Sequence, residues 1–492
     1  MFIMPRKAWL WQYWRRFLGL GLVVSGVGLP LPLQAAERLV LVAGDTTWMI
    51  PLVEVQRWVD SGHLHGSLTP LAQLLPAPVL ENVRQWLTRP LPLTPRQSQR
   101  FLRTEAGRHV LQRLGQLLIP PDPQALKQAL LPLGQQPQPL TVLRLLQSFP
   151  AETVAVDALA VMRLLLNAQT QQHQTAQALA TFTLLPPQRS TPPFSGQPWQ
   201  TQHWVFRPPD QPQRLLQMHV FYPGRSQAVP VVLLSHGIGQ TGRSLMYLGE
   251  YLASQGFAAV VITHPASSAL KEFWERPQDI RRVLAHLAQH PWHRRLDLQR
   301  VGLLGHSLGG YTVLVAAGAQ PQPLALQHQC QSDFALLNLS LVLLQCRALE
   351  LTAWPSVEPD PRIRAVIAMN PVIGGILGST GLSSVRAPVM LVGGGGDWVT
   401  PVLPEQIQPF RGLQGKDHYL VIFPTAGHID GLDETRQFHP ARLPPLPYAL
   451  AHLSREFFRA HLFPAAPALT LERLRQPTLP LRVIRSHSGP PR

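Results

Sequence analysis

The chain has 492 residues, enough for two to four domains at roughly 100 to 200 residues each. Hydrophobic residues make up 45% and charged residues 14%, which excludes an intrinsically disordered chain, and 51 Pro with 35 Gly exclude a long helical rod. The formal net charge of +16 favours contact with polyanions such as nucleic acid, anionic lipid or acidic surface polymer, without identifying one, and a diffusely Arg-rich surface is the alternative. No basic run interleaved with aromatic residues occurs, so nucleic-acid binding is not predicted.

The first 36 residues have the layout of a signal peptide. A basic start precedes the apolar stretch 17–33, and the small residues Ala35 and Ala36 follow it. We expect cleavage after Ala35 or Ala36 and export to the periplasm or the exterior. The alternative is an uncleaved anchor, because Leu33 and Gln34 are not the small residues favoured at the third position before a cut.

Residues 37–183 are expected to form a mainly helical domain. A hairpin over 38–43 and 47–52 opens it, and apolar residues at spacings of three and four predict helices over 101–118 and 154–167. No group of acids or histidines in this region indicates a catalytic site. A segment rich in Pro, Ser and Thr at 184–199 reads as a linker.

After the linker, short apolar runs alternate with helical stretches, which predicts a mostly parallel sheet covered by helices over residues 200–463. An antiparallel pair over 203–207 and 215–222 begins this region. Six further strands are predicted at 231–235, 258–263, 301–305, 365–370, 389–392 and 419–423. An amphipathic helix over 448–462 ends it, and the Pro- and Arg-rich tail 464–492 is expected to be poorly ordered.

The motif Gly305-His306-Ser307-Leu308-Gly309 directly follows a predicted strand and precedes a predicted helix. This context is the one that a nucleophile elbow requires, since Gly305 and Gly309 let the sharp turn pass close to neighbouring strands. Ser307 is therefore the predicted nucleophile.

A serine hydroxyl needs a general base and a group that orients the base. Asp397 follows the strand 389–392 after four glycines, and His428 follows the strand 419–423, so the chain order is Ser, Asp, His. Asp430 is the remaining rival for the acid. The end of the strand before 389–392 offers only the amide of Asn370.

Backbone N–H groups of Ile238 and Leu308 are the predicted oxyanion donors. Ile238 lies in the turn His236-Gly237-Ile238 at the end of a predicted central strand, where Gly237 permits close approach. We expect His236 to bond local backbone and to take no part in proton transfer. His264, after the next strand, is expected to be structural.

An insertion at about 320–362 contains both cysteines of the chain, Cys330 and Cys346. In an exported protein they can form one disulfide, and two buried thiols are the alternative. We expect the insertion to act as a lid over the acyl pocket, with an ordinary packed insertion as the alternative. Metal binding is not predicted, since the sequence has neither a CxxC pair nor an HExxH motif.

With these motifs, residues 200–463 resemble α/β-hydrolases of the platelet-activating-factor acetylhydrolase-like and dienelactone-hydrolase-like groups. The leader and region 37–180 resemble the N-terminal domain of unknown function found in secreted cyanobacterial hydrolases of that type. The resemblance implies an α/β-hydrolase fold, no cofactor, and the roles given above for Ser307, Asp397, His428, Ile238 and Leu308. The four-glycine run departs from the family pattern and predicts a less firmly held Asp397.

The combined interpretation is an exported serine hydrolase that cleaves lipid or short-acyl esters through an acyl-enzyme. Two alternatives remain open. One is acyl transfer to an acceptor other than water, and the other is a catalytically idle basic module that binds envelope polymer or anionic lipid.

Overall fold

The computed structural model describes residues 35–486, except 89–101, 103–104, 137, 189–195, 225–226, 266–268, 333–336, 352–353, 355–357 and 434–442. The predicted signal peptide, apart from Ala35 and Ala36, lies outside these residues, as does the tail after 486. The chain divides into two compact units, Met1–Met162 and Arg163–Arg492.

The first unit combines a small sheet with short helices. Strands β1 and β2 form the predicted hairpin, and β3 pairs parallel to β1, giving the order β2-β1-β3. Its elements are β1 (Arg38–Ala43), β2 (Thr46–Pro51), α1 (Leu52–Ser61), α2 (Leu71–Leu74), α3 (Ala77–Thr88), α4 (Glu105–Gly115), α5 (Pro123–Leu133), α6 (Val142–Gln147) and β3 (Thr153–Asp157).

Strand β3 corrects the helix predicted over 154–167. Val154 and Val156 are buried while Thr153 is exposed, a period of two that a sheet requires and a helix cannot supply. Helix α7 (Ala158–Ala180) begins directly after this strand. The apolar residues of the strand and of the helix therefore form one continuous pattern in the sequence, which resembles a single helix. Because α7 is continuous across residue 162, the boundary between the compact units falls within it instead of at the predicted linker.

The second unit is built on a ten-stranded sheet of order β4-β13-β12-β11-β10-β9-β7-β8-β6-β5. Six neighbouring strands of this sheet, β12, β11, β10, β9, β7 and β8, are parallel to one another. Antiparallel strands extend the sheet at both edges. The strands are β4 (Thr183–Leu185), β5 (Trp199–Phe206), β6 (Leu216–Pro223), β7 (Val229–Ser235), β8 (Ala258–Thr263), β9 (Leu296–His306), β10 (Ile363–Met369), β11 (Val389–Gly394), β12 (Tyr419–Phe423) and β13 (Leu481–Arg485).

Helices connect the parallel strands and cover the sheet. Buried side chains of α8 and α14 share one core with Val232 and Leu234, while α10 packs against β9 and β10. The helices are α8 (Met246–Ser254), α9 (Ala269–Gln289), α10 (Leu308–Ala316), α11 (Pro323–Gln331), α12 (Leu339–Leu343), α13 (Gln408–Phe410), α14 (Pro445–Leu462) and α15 (Leu471–Leu474).

Two predictions about segments at the edges of this unit are wrong. Part of the supposed tail forms α15 and β13, and β13 joins the sheet beside β12 because Leu481 and Val483 are buried at alternate positions. Strand β4, at the start of the supposed linker, pairs with β13. Linker residues 189–195 lie outside the described part of the chain.

Register brings the predicted site together. Ser235 pairs with Gly305, His306 pairs with Met369, and Met369 pairs with Val392, so the carboxyl ends of β7, β9, β10 and β11 lie side by side. The segments that follow these strands therefore converge at one edge of the sheet, where ligands bind in open α/β sheets.

Candidate active site

Ser307 occupies the turn between β9 and α10. Its φ of 56° lies in the left-handed region, which is strained for a residue with a side chain. The two glycines allow the turn. A Cβ on Gly305 would lie 2.0 Å from Gly309 O, and one on Gly309 would lie 2.0 Å from Ser235 O. The turn therefore has the geometry of a nucleophile elbow.

His428 lies between Ser307 and Asp397. Its Nε2 is 3.1 Å from Ser307 Oγ and its Nδ1 is 2.8 Å from Asp397 Oδ2. The carboxylate accepts a hydrogen bond from the Nδ1–H group, so the unprotonated Nε2 can accept the serine hydroxyl proton. The structure thus brings all three predicted catalytic residues into one hydrogen-bonded relay.

Asp397 is held by more than its histidine. Thr400 donates from its amide to Oδ1 at 2.9 Å and from its hydroxyl to Oδ2 at 2.5 Å. Asn370 donates from Nδ2 to the same Oδ2. Burial raises the pKa of Asp397, but His428 and Thr400 outweigh that effect and hold the pKa below its ordinary value. The carboxylate is therefore firmly held and ionised.

The four-glycine run packs the acid loop against the base loop. A Cβ on Gly394 would lie 2.2 Å from Ala426 O, and one on Gly395 would lie 2.2 Å from Pro424 O. The amide of Gly396 donates to Ala426 O at 3.0 Å. The expectation that this run loosens Asp397 is therefore wrong, because the glycines let the two loops touch.

Asp430, the rival acid, lies in a different contact. Its Oδ2 accepts a hydrogen bond from the amide of Gly427 at 2.7 Å, which closes the turn that carries His428. Asp397, and not Asp430, is the carboxylate bonded to the imidazole.

The turn after β7 approaches the nucleophile. A Cβ on Gly237 would lie 3.2 Å from Ser307 Cβ. Within the described residues, no protein group accepts a hydrogen bond from the amide of Ile238 or Leu308. Ile238 and Leu308, the predicted oxyanion donors, thus lie at the edge of the sheet that carries Ser307.

His236 bonds backbone, as its sequence context predicts. Its Nδ1 donates to Gly237 O at 2.7 Å and its Nε2 accepts from the amide of His264 at 3.1 Å. Burial, followed by the charge of Arg276, lowers the pKa of His236 to about 2. This ring is therefore neutral and carries no proton to substrate.

The insertion at about 320–362 is hydrogen-bonded to the segment after β10 and to the segment after β11. Cys330 and Cys346 form a disulfide with a Cα–Cα distance of 5.7 Å. The amide of Ser340 donates to Val399 O at 2.8 Å, two residues after Asp397. The buried carboxylate of Glu405 accepts hydrogen bonds from Asn338 and Gln345, and also from the amides of Ile373 and Gly374.

Two further features are absent from the described part of the chain. No group of three or more His, Cys, Asp or Glu side chains is placed to hold a metal ion there. No helix in the same residues is both long and apolar enough to cross a membrane.

Comparisons with known proteins match two separate regions. Residues 35–157 match the family model described as an α/β hydrolase of unknown function (DUF1400), and residues 217–339 match the model described as PET hydrolase-like. Together with the sheet described above, these matches show an α/β-hydrolase fold.

Curated relatives align over 105 residues, or 21% of this chain. Cutinase 1 of Thermobifida cellulosilytica is 32% identical, with 39% of its length covered. A cutinase of Thermobifida fusca (strain YX) is 32% identical, with 34% covered. Bis(hydroxyethyl) terephthalate hydrolase of Streptomyces coelicolor is 32% identical, with 33% covered. The chain thus spans less than two-fifths of the length of each of these relatives.

Several residues of the candidate site were not predicted from the sequence. Four of them bond directly to a candidate catalytic residue or to the turn that carries Ile238: His306, Asn370, Thr400 and Arg276. Asn370 was considered only as a replacement acid, although its position at the end of β10 placed it near Asp397. Arg276 gave no local signal, because it lies within an ordinary amphipathic helix, α9.

Proposed function

We propose that this protein is an exported serine hydrolase that cleaves carboxylic esters through an acyl-enzyme. The observation that carries the proposal is the Ser307–His428–Asp397 relay at a strained strand-to-helix turn. The match of residues 217–339 to the PET hydrolase-like model supports the same reaction class.

In the proposed mechanism, Ser307 Oγ attacks the ester carbonyl carbon while its proton passes to His428 Nε2. Asp397 stabilises the imidazolium that results, and the amides of Ile238 and Leu308 donate to the oxyanion. Collapse of this intermediate breaks the bond to the alcohol, which leaves with the proton from His428. Water, deprotonated by His428, then attacks the acyl carbon; the bond to Ser307 Oγ breaks, His428 returns the proton to Ser307, and the acid is released.

The proposed substrates are lipid or short-acyl esters. The resemblance of residues 200–463 to α/β-hydrolases supports this reaction class and does not select a compound. The names of the relatives, cutinases and a bis(hydroxyethyl) terephthalate hydrolase, add cutin and bis(hydroxyethyl) terephthalate as substrates to test.

Export is part of the proposal. The leader layout supports it, and the Cys330–Cys346 disulfide is the kind of bond that persists in oxidising compartments. The net charge of +16 supports peripheral contact with an anionic membrane or envelope.

The test is hydrolysis of p-nitrophenyl esters from C2 to C16, and of bis(hydroxyethyl) terephthalate, by the purified protein. We expect Ser307→Ala to lose on the order of 10⁶-fold in kcat and to lose labelling by a fluorophosphonate. Ser454→Ala is the matched control, since this buried hydroxyl donates to Leu450 O within α14. An active Ser307→Ala variant, or a parent that neither turns over nor labels, would overturn the proposal.

A further inference from the structure

A cluster of buried charged side chains lies beneath the turn that carries Ile238. Asp279 accepts two hydrogen bonds from Arg214, at 2.7 and 2.6 Å, and Arg276 pairs with Glu272. All four side chains are almost fully buried. Burying charged groups costs free energy, so a buried ion pair often adds little to stability. A second role for this cluster is therefore sought in its contacts with the backbone of the turn that carries Ile238.

Part of the cluster reproduces the connectivity of a catalytic relay. His264 Nε2 is 2.9 Å from Ser235 Oγ and His264 Nδ1 is 2.8 Å from Asp279 Oδ2. Ser235 and Asp279 are 0% exposed. Substrate cannot reach this serine, so the arrangement holds the end of β7 in place and performs no chemistry of its own.

The next contact extends from His264 to the oxyanion turn. The amide of His264 donates to His236 Nε2, which leaves the ring proton of His236 on Nδ1. That proton is donated to Gly237 O at 2.7 Å. Because N–H and C=O of a trans peptide point in opposite directions, fixing Gly237 O also fixes the direction of the Ile238 N–H.

Arg276 fixes the preceding peptide. Its Nη1 donates to His236 O at 2.6 Å, and Gln240 Oε1 accepts from the amide of Gly237 at 3.0 Å. Both sides of the His236–Gly237 peptide are therefore bonded. A buried guanidinium on a helix that lies far away in sequence thus determines the orientation of a turn on β7.

We propose that Arg276 is a positioning residue for the oxyanion donor of Ile238, and that it acts through the carbonyl of His236. This inference rests on the proposed ester hydrolysis. Arg276 contacts the turn and not the substrate, so it contributes by holding the Ile238 amide in the direction that the tetrahedral intermediate requires.

The test compares two variants with the parent. Arg276→Met/Glu272→Met removes both charges of the pair and leaves no lone carboxylate buried, while Arg276→Lys keeps a charged donor. The matched control is Arg362→Met/Asp360→Met. These two residues form an ion pair, with Arg362 Nη2 at 2.6 Å from Asp360 Oδ2, and they precede the amino end of β10, whereas the site lies at its carboxyl end. Thermal unfolding, kcat, KM and the inhibition constant of an alkyl boronic acid are measured for each.

We expect the Arg276 double variant to lose roughly 10- to 100-fold in kcat, less than the 10²- to 10³-fold cost of deleting a donor outright. KM should stay within about twofold, because substrate binding is not affected. Affinity for the boronic acid, which forms a tetrahedral adduct with the serine, should fall in proportion to kcat. Arg276→Lys should recover part of both losses, and the Arg362 control should change neither.

A folded double variant with the parent's kcat and boronate affinity would show that Arg276 is only structural. If the double variant does not fold, Arg276→Gln/Glu272→Gln decides, because the glutamine side chain is shorter than the Nη1 contact to His236 O requires. Unchanged kcat and boronate affinity in that folded variant would contradict the proposal. A parent without esterase activity or fluorophosphonate labelling would overturn the proposed function and this inference with it. Loss confined to the Arg276 variants, with an active parent, supports both.

Discussion

His306 donates a hydrogen bond from Nε2 to the backbone carbonyl of His428, at 2.9 Å. The residue before the proposed nucleophile therefore holds the main chain of the residue that supplies the proposed base. Burial, and then the proximity of His428, lowers the pKa of His306 to about 3, so this ring stays neutral. The elbow and the histidine loop are joined by a contact that does not involve the catalytic side chains.

Replacing His306 should impair catalysis through the position of His428. We expect His306→Ala to lower kcat by up to about 10²-fold, because small displacements of a catalytic group are costly, while His306→Gln retains a donor and part of the activity. The rate of fluorophosphonate labelling of Ser307 measures the effect directly. An alanine variant that labels at the parent's rate would rule out this role.

A second carboxylate beside Asp397 should shift the pH dependence of catalysis. Asn370→Asp replaces the Nδ2 donor to Asp397 Oδ2 with a like charge, which raises the pKa of the carboxylate pair. Protonation then occurs at higher pH, so activity should fall more at pH 6 than at pH 8. The measurement is a pH profile of kcat/KM.

Asn370→Ala is the control for that variant, since it removes the same hydrogen bond without adding charge. We expect its activity to fall by a similar factor across the pH range. Parallel profiles for the Asp and Ala variants would contradict the electrostatic explanation.

The contact between the acid and base loops should not accept a side chain. Gly394→Ala would place Cβ 2.2 Å from Ala426 O, so we expect a loss of about 1 to 3 kcal/mol in the free energy of unfolding and a loss of esterase activity. Gly224→Ala has nothing within 4 Å of its Cβ and serves as the matched control. Urea denaturation and kcat are measured for both, and equal stability of the two variants would refute the interpretation.

Glu250, on α8, should make stability depend on pH. Burial, and then the charge of Asp433, raises the pKa of Glu250 to about 7, above the ordinary value near 4.5. The folded protein therefore binds more protons than the unfolded chain between these values, and stability falls as pH rises through this window. Glu250→Gln should raise Tm more at pH 8 than at pH 5, and an equal change at both would contradict the shift.

Local sequence patterns predicted the catalytic part of the fold well. Strand β9, the motif around Ser307 and helix α10 are contiguous, so the elbow is encoded by neighbouring residues. Strand β12 was predicted with its observed bounds, Tyr419–Phe423, because a short buried parallel strand is a continuous apolar run. The order of Ser307, Asp397 and His428 along the chain then indicated which residues would meet.

Long-range pairing was beyond those patterns. Strand β13 has five residues and lies in a Pro- and Arg-rich segment. Its alternation of buried and partly exposed side chains arises from pairing with β12, which the local sequence does not indicate. Strand β3 was not predicted because it has only five residues and the apolar positions of helix α7 follow it directly. The short alternating pattern of the strand is therefore not distinguishable from the start of the helix.

The sequence by itself determined the candidate catalytic residues, because the proposed nucleophile, base and acid must be particular residue types at the ends of particular strands. Only the tertiary structure decided what holds them. His306 reaches a carbonyl 122 residues away, Arg276 reaches one 40 residues away, and Asn370 reaches Asp397 across two strand ends. Such contacts depend on strand register and side-chain direction, which arise when the sheet assembles and leave no periodic trace in the chain.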